Sequence, residues 1–250
     1  MARPARPVDH GHMAPTLRVR IAPELRLFVA PRHRGGVAEV AYDGTATLGH
    51  IAESLGVPLT EVGTLLVDDV PRTPPHQPRA GTTIEIRPVE RPQAAPPRFL
   101  LDVHLGKLAR RLRLVGVDAA YRNDADDDEL IAEAEREQRV LLTQDRGLLR
   151  RRALWAGAYV RGSDPAEQLV DVIERFAPPL APWTRCTACN GLLTPVSKED
   201  VVAEIEPGTR RHYDDYARCP DCDRVYWRGA HSHRITAIIR AARRAHPGTR

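Results

Sequence analysis

The stretch Phe99-Leu100-Leu101-Asp102-Val103-His104-Leu105-Gly106-Lys107-Leu108-Ala109-Arg110-Arg111-Leu112-Arg113-Leu114-Val115-Gly116 decides the fold. Phe99, Leu100 and Leu101 form a short apolar run of the kind that makes a buried strand, and Asp102 ends it. Leu105, Leu108, Leu112 and Val115 then recur at three- and four-residue steps, a helical stripe that closes at Gly116. The same alternation continues downstream: 117–121 reads as strand, 129–138 as helix, 140–142 and 158–161 as strands, and 165–176 as helix. Strand and helix alternating at this interval imply βαβ units on a parallel sheet.

Ligand sites in such a sheet lie outside the carboxyl ends of the strands. Acids stand at those places four times over: Asp102, the Asp127-Asp128 pair, Asp145 and Asp164. Carboxylates gathered on one edge repel one another unless a divalent cation sits among them, and hard oxygen donors suit Mg²⁺ or Mn²⁺. Each acid also has a plainer role. Asp127 or Asp128 reads as a helix N-cap, Asp145-Arg146-Gly147 as a turn, and Asp164-Pro165 as the start of a helix. Asp102 is the hardest to give such a role, because it breaks an apolar strand where another hydrophobe would serve.

Basic residues adjoin these acids. His104, Lys107 and Arg111 share one helix stripe, with Arg110 beside it, and Arg146, Arg150, Arg151 and Arg152 follow Asp145. A solvated face accounts for such charges, and so does a phosphate backbone that needs neutralising beside the acids.

Upstream, 15–90 alternates as strands do at Leu17, Val19 and Ile21, at Leu25, Leu27 and Val29, and over 37–41. Thr47 precedes a helical stripe at Leu48, Ile51 and Leu55, closed by Gly56, and 65–67 and 83–86 read as later strands. This order resembles the ubiquitin-like β-grasp fold. The segment ends Ile86-Arg87-Pro88-Val89 without a diglycine, so sulfur-carrier chemistry is unsupported, and docking to a partner protein or a capping role remains. Residues 1–14 read as a disordered arm, and 91–97, within the proline-rich run PVERPQAAPP, as a linker between the β-grasp domain and the parallel α/β domain over 98–180.

The segment 183–250 carries all the cysteines, as Cys186-Thr187-Ala188-Cys189 and Cys219-Pro220-Asp221-Cys222. Two such knuckles meeting at one ion make the tetrahedral structural Zn²⁺ site of a zinc ribbon. From Arg224 to Arg250 there are seven Arg, three His and no acid, an asymmetry that marks a nucleic-acid patch. Tyr226 and Trp227 within it could stack on unpaired bases, or pack over the zinc knuckle. Arg228, His231 and Arg234 lie in the same basic tail.

The 250 residues are enough for more than one domain, and 42% hydrophobic with 28% charged is ordinary for a soluble globular chain. No apolar run approaches the roughly 20 residues of a membrane span, and the start has no signal-peptide core, so a cytoplasmic location is expected. Net charge is only +4, so the placement of arginine carries more weight than its abundance.

The quoted stretch, with Gly116-Val117-Asp118, Asp127-Asp128-Glu129-Leu130-Ile131 and Leu142-Thr143-Gln144-Asp145-Arg146, resembles the Mut-seven-C ribonuclease family. Cys186-x-x-Cys189-Asn190-Gly191 and Tyr226-Trp227-Arg228-Gly229-x-His231 fit that family's second module. The resemblance covers about 15–240 and implies a β-grasp domain, a PIN-like αβα nuclease and a zinc ribbon. It further implies Asp102, Asp127 and Asp145 as Mg²⁺ or Mn²⁺ ligands, Asp127 being favoured over Asp128 by the spacing to Ala134 and Arg139. Where the family usually has Arg before the third acid, this chain has Gln144. The reading is a metal-dependent ribonuclease. Lys107 and Arg111 then act at the scissile region, and Arg110, Arg146, Trp227, Arg228, His231 and Arg234 hold RNA. The alternative is an RNA- or ribosome-binding factor of weak or no activity. A phosphatase with an aspartyl nucleophile would want a second Asp at position 104, where His104 stands.

Overall fold

The computed structural model describes residues 15–227 and 232–249, which form two compact units divided between Val89 and Glu90. The first contains strands β1 (Thr16–Ile21) and β2 (Val37–Ala41), helix α1 (Leu48–Ser54), and strands β3 (Val62–Val67), β4 (Val70–Arg72) and β5 (Thr83–Pro88). They make one mixed sheet in the order β2-β1-β5-β3-β4, with β1 and β5 parallel. Strand β1 alternates as its pattern requires, burying Leu17, Val19 and Ile21. Thr47 caps α1, its side chain accepting the His50 N–H at 3.3 Å. Gly56 follows at φ +107, and a Cβ there would fall 2.5 Å from the Phe28 carbonyl oxygen.

The strand expected over 25–29 is absent. A 3-10 turn forms at Pro23–Leu25 instead, and Leu25, Phe28 and Val29 are buried while Leu27 is half-buried. Those burials step by three and one, not two, and Pro23, with its fixed φ and missing N–H, starts a turn rather than a ladder.

The second unit contains β6 (Arg98–Leu101), α2 (Gly106–Leu114), β7 (Asp118–Tyr121), α3 (Asp127–Arg136), β8 (Val140–Thr143), β9 (Gly157–Tyr159) and α4 (Pro165–Phe176). It continues with β10 (Thr194–Val196), α5 (Lys198–Val201), α6 (Pro207–His212), β11 (Tyr216–Arg218), β12 (Val225–Trp227) and α7 (Ser232–Ala245). The strands β7-β6-β8-β9 form an all-parallel sheet in that order. Both of its faces are covered, so the central strands β6 and β8 bury the apolar runs Phe99-Leu100-Leu101 and Val140-Leu141-Leu142. Phe99, Leu101 and Leu142 face a core built from α2, α4 and α7, whereas Leu100 and Leu141 face Leu130, Ile131 and Ala134 of α3.

The expected linker is anchored by its side chains. Residues 91–97 are tied to α4: Arg91 pairs with Asp171 at 2.7 Å, the buried Arg175 donates through Nε to Gln93 Oε1 at 2.9 Å, and Ala95 packs on the core. Proline content alone could not show these side-chain anchors.

The basic tail, in turn, is not merely a charged appendage. Helix α7 buries Ile239, Ala242 and Ala245 against the core of α2 and α4, leaving His233, Arg234, Arg240, Arg243 and Arg244 exposed. Helical spacing within the arginines makes one apolar stripe. Deleting 234–250 is therefore expected to strip the parallel-sheet core as well as remove charge. Ile239→Ala alone should cost about 2 kcal/mol, read as a lower denaturant midpoint, and an unshifted midpoint would show that α7 does not dock.

The three short strands β10-β11-β12 are antiparallel and pack with Val201, Ile205 and Tyr216 as a separate small cluster. Among the described residues no helix is long and apolar enough to cross a membrane.

Candidate active site and metal centre

The carboxyl ends of β6 and β8 are neighbours because those strands pair in the centre of the parallel sheet. Asp102 stands one residue past β6, only 6% exposed. Its Oδ2 accepts the Thr143 hydroxyl at 2.6 Å, and its Oδ1 lies 3.4 Å from the His104 N–H. Thr143, fully buried at the end of β8, in turn accepts the Asp145 N–H at 2.8 Å. One hydroxyl thus links two of the three expected acids. Asp145 is further held by the Gly147 N–H, 2.6 Å from Oδ1, so the turn reading of Asp145-Arg146-Gly147 is also correct locally.

The N-cap of α3 is neither Asp127 nor Asp128 but Asp126. Its carboxylate accepts the Glu129 N–H at 2.8 Å while Glu129 Oε2 accepts the Asp126 N–H at 3.2 Å. The D-x-x-E spacing at 126–129 is the capping-box signal that would have found it. Asp128 pairs with Arg151, and Asp164 caps α4 through the Ala166 N–H at 2.6 Å. Asp127, exposed in the first turn, has no side-chain hydrogen bond or ion pair among the described residues. Asp102, Asp127 and Asp145 are not drawn into one tight trio: among the described residues, the cysteines alone form a group whose ligand atoms lie within 4.8 Å of one another.

Lys107 and Arg110 are exposed on α2 and Arg111 is half-buried there; Arg146 is exposed beside Asp145. Gly106 opens α2 beneath the Tyr121 ring, where a Cβ would meet Tyr121 at 2.7 Å, and the Tyr121 hydroxyl donates to Val103 O at 2.9 Å. Arg234 is exposed on α7, and Trp227 is 38% exposed at the end of β12. Arg228 and His231 lie outside the described residues.

The cysteines converge: Cys186 Sγ is 3.6 Å from Cys222 Sγ, and Cys189 Sγ is 3.4 Å from Cys219 Sγ. Each knuckle turns back through a left-handed residue, Asn190 at φ 78 and Asp223 at φ 60, types that tolerate that conformation. At Gly191 a Cβ would lie 2.1 Å from Asp221 Oδ2 and 3.0 Å from Cys219 Sγ, so a side chain there would displace Asp221 and crowd the sulfur. Burial opposes ionisation of Cys186, yet the Tyr226 hydroxyl, 3.0 Å from its sulfur, and backbone N–H groups bring its thiol down to about 6. Burial and neighbouring sulfurs push Cys189 up to about 12. Four thiols this close ionise together only around a cation, and four soft sulfurs fit Zn²⁺. The aromatic at the knuckle is Tyr226; Trp227 is left for other contacts.

Sequence reasoning missed how this centre joins the parallel sheet. Asn190 Oδ1 accepts the Ala119 N–H at 3.0 Å and its Nδ2 donates to Asp118 at 2.8 Å. Arg113, 3% exposed, donates to the carbonyls of Ala119 and Ala188, both at 2.7 Å. Asp118 also pairs with Arg139 at 2.6 Å and Arg185 at 3.4 Å. Burial disfavours its charge, but the hydrogen bonds from Arg139 and Asn190 and the charges of Arg139 and Arg185 outweigh it and hold the carboxyl below its usual range. A lowered folded value means the stabilisation is present above the unfolded value of about 3.9 and is lost as pH falls through the folded one. Asp118→Asn should therefore cost roughly 1–3 kcal/mol at neutral pH, and the gap from wild type in urea melts should narrow below about pH 4. A gap independent of pH would refute the pairing.

The Mut7-C ubiquitin domain matches residues 14–94 and the Mut7-C RNAse domain matches residues 97–239. No curated protein and no solved structure matches the chain. The ribonuclease match runs from β6, through the acids and both cysteine knuckles, into α7, and takes in more than half of the 250 residues. The chain therefore belongs to the Mut7-C RNAse domain family, with a Mut7-C ubiquitin domain ahead of the ribonuclease domain.

Proposed function

We propose that this protein is a metal-dependent ribonuclease with a PIN-like catalytic sheet and a structural zinc ribbon. The observation that carries the reading is the Thr143 hydroxyl joining Asp102 to the Asp145 backbone at the carboxyl edge of β6 and β8. Asp102 also caps the 3-10 turn at Val103–Leu105 through Oδ1, and its Oδ2 is oriented by the Thr143 hydroxyl; a buried acid so fixed at a strand end is arranged for a ligand. Two carboxylates with water filling the remaining positions suit Mg²⁺ or Mn²⁺. Asp102 and Asp145 would hold the ion, with Asp127, unengaged in the first turn of α3, as the third acid. An ion bound there supplies Lewis-acid polarisation of the phosphate and a more acidic water. Lys107 and Arg111 on α2 neutralise the phosphate at the scissile bond, Arg110 and Arg146 the flanking backbone, and Trp227 offers a face for an unpaired base. The ubiquitin-like unit serves as the docking domain for a protein partner.

The test is cleavage of a labelled single-stranded RNA with Mg²⁺ or Mn²⁺ and with EDTA. Loss on chelation of the added metal, with zinc retained, supports the reading; no cleavage under any divalent ion defeats it. A second reading, an RNA- or ribosome-binding factor, is favoured by the spread of the three acids beyond 4.8 Å and by the exposed arginines of α7. Changing Arg234, Arg240 and Arg244 to Gln keeps the apolar stripe of α7 and isolates the charge. At about −0.7 per phosphate contact on single strands, the slope of log K against log salt should flatten by about 2. An unchanged slope removes α7 from the RNA surface.

A further inference from the structure

The ladder between β8 and β9 ends with the pairing of Thr143 and Tyr159, and the Val160 N–H reaches Thr143 O at 2.9 Å. Beyond that point the chains diverge, one into the turn that bears Asp145 and the other into the loop leading to α4. Parallel strands that separate at their carboxyl ends open the crevice where ligands sit, and they also leave carbonyls without ladder partners. Gln144 supplies the missing donors: its Nε2 lies 3.0 Å from Val160 O and 2.9 Å from Gly162 O. The receiving loop is itself confined. Gly162 has φ +100, and a Cβ there would fall 2.6 Å from Glu167 Cβ, so the backbone lies hard against the start of α4.

The same residue is chained to the acids. Gln144 lies between Thr143, whose hydroxyl donates to Asp102, and Asp145, whose N–H donates to that hydroxyl. The two bonds from Gln144 therefore fix the backbone at the step between the two carboxylates. We propose that Gln144 is a positioning residue that clamps the Asp145 turn to the β9–α4 loop and so sets the spacing of the divalent-ion site. The inference rests on the carboxylate reading of the active edge. Gln144 touches neither ion nor substrate in this role; it acts through Asp145. Groups that orient metal ligands typically contribute about 10- to 100-fold in metal affinity.

Mn²⁺ binding to the zinc-loaded full chain, followed by electron paramagnetic resonance, reads this directly, with thermal melting and zinc content as controls. Gln144→Ala should weaken Mn²⁺ at least about tenfold and lower kcat with little change in KM, while the melt and the zinc stay as in wild type. Gln144→Glu separates geometry from charge. It adds a negative charge near the ion, yet it offers only acceptors to two carbonyls and breaks the clamp, so it too should weaken Mn²⁺. Wild-type affinity in Gln144→Ala, or tighter binding in Gln144→Glu, overturns the proposal. Asp102→Asn is the reference: if wild type binds no Mn²⁺, or Asp102→Asn binds it equally well, the carboxylate reading itself falls, and the clamp with it.

Discussion

Asp102→Asn is expected to abolish divalent-dependent RNA cleavage, with a loss of about a thousandfold, while leaving the fold intact. The magnitude follows from Lewis-acid stabilisation of several kcal/mol, at about 1.4 kcal/mol per tenfold in rate. The fold should survive because Asn matches Asp in shape and still presents an oxygen to the Thr143 hydroxyl, the partner held at 2.6 Å. What disappears is a formal charge in a position only 6% exposed, where water screens little. The measurement is cleavage of one labelled single-stranded RNA, with thermal melting and zinc content as controls. Cleavage at the wild-type rate by a clean preparation would place the chemistry elsewhere.

Cys219→Ser is expected to release the zinc and unfold the ribbon. Cys219 is fully buried, 3.4 Å from Cys189, and serine offers a poor ligand for a soft thiolate site. Structural zinc contributes roughly 10–16 kcal/mol in small zinc-binding modules, far more than three short strands and one small apolar cluster can replace. The effect should also reach the parallel sheet. The Ala119 N–H of β7 donates to Asn190, the residue directly after Cys189, so a collapsed knuckle leaves an edge-strand amide unpaired. Arg113 loses its Ala188 acceptor at the same time. Faster hydrogen exchange at Ala119 should accompany the loss of zinc by elemental analysis. Full zinc content in Cys219→Ser would contradict the four-sulfur site, and unchanged exchange at Ala119 after zinc loss would contradict its link to the sheet.

Much of this was legible in the residues themselves. The apolar runs 99–101 of β6 and 140–142 of β8 read as strands covered on both faces, and the alternation of β1 as a strand covered on one. Thr47, Gly56 and Gly116 mark helix ends through local chemistry that needs no tertiary partner. The paired Cys-x-x-Cys spacing foretells the cluster that the four sulfurs form. Reading failed where two local patterns competed. The run Asp126-Asp127-Asp128-Glu129 offers three candidate caps, and the Glu129 side chain selects Asp126. The apolar residues at 25–29 imitate alternation, but Pro23 turns them into a buried loop. Nothing in the residue types of Arg113 and Asn190 signals their bonds across to the knuckle and to β7.

The sequence by itself determined the alternating strands and helices of the parallel sheet, which sulfurs meet and which acids sit at strand ends, because periodicity, turn chemistry and ligand spacing are properties of neighbours along the chain. Only the tertiary structure decided that Thr143 joins Asp102 to Asp145, that Gln144 stitches β8 to the loop after β9, that α7 completes the core, and that Asn190 and Arg113 bind the first cysteine knuckle to β7. Each of these is a contact between residues distant in sequence, or a hydrogen bond whose partner is a backbone carbonyl or amide. Every residue but proline carries both of those groups, so no residue type announces which one will be chosen.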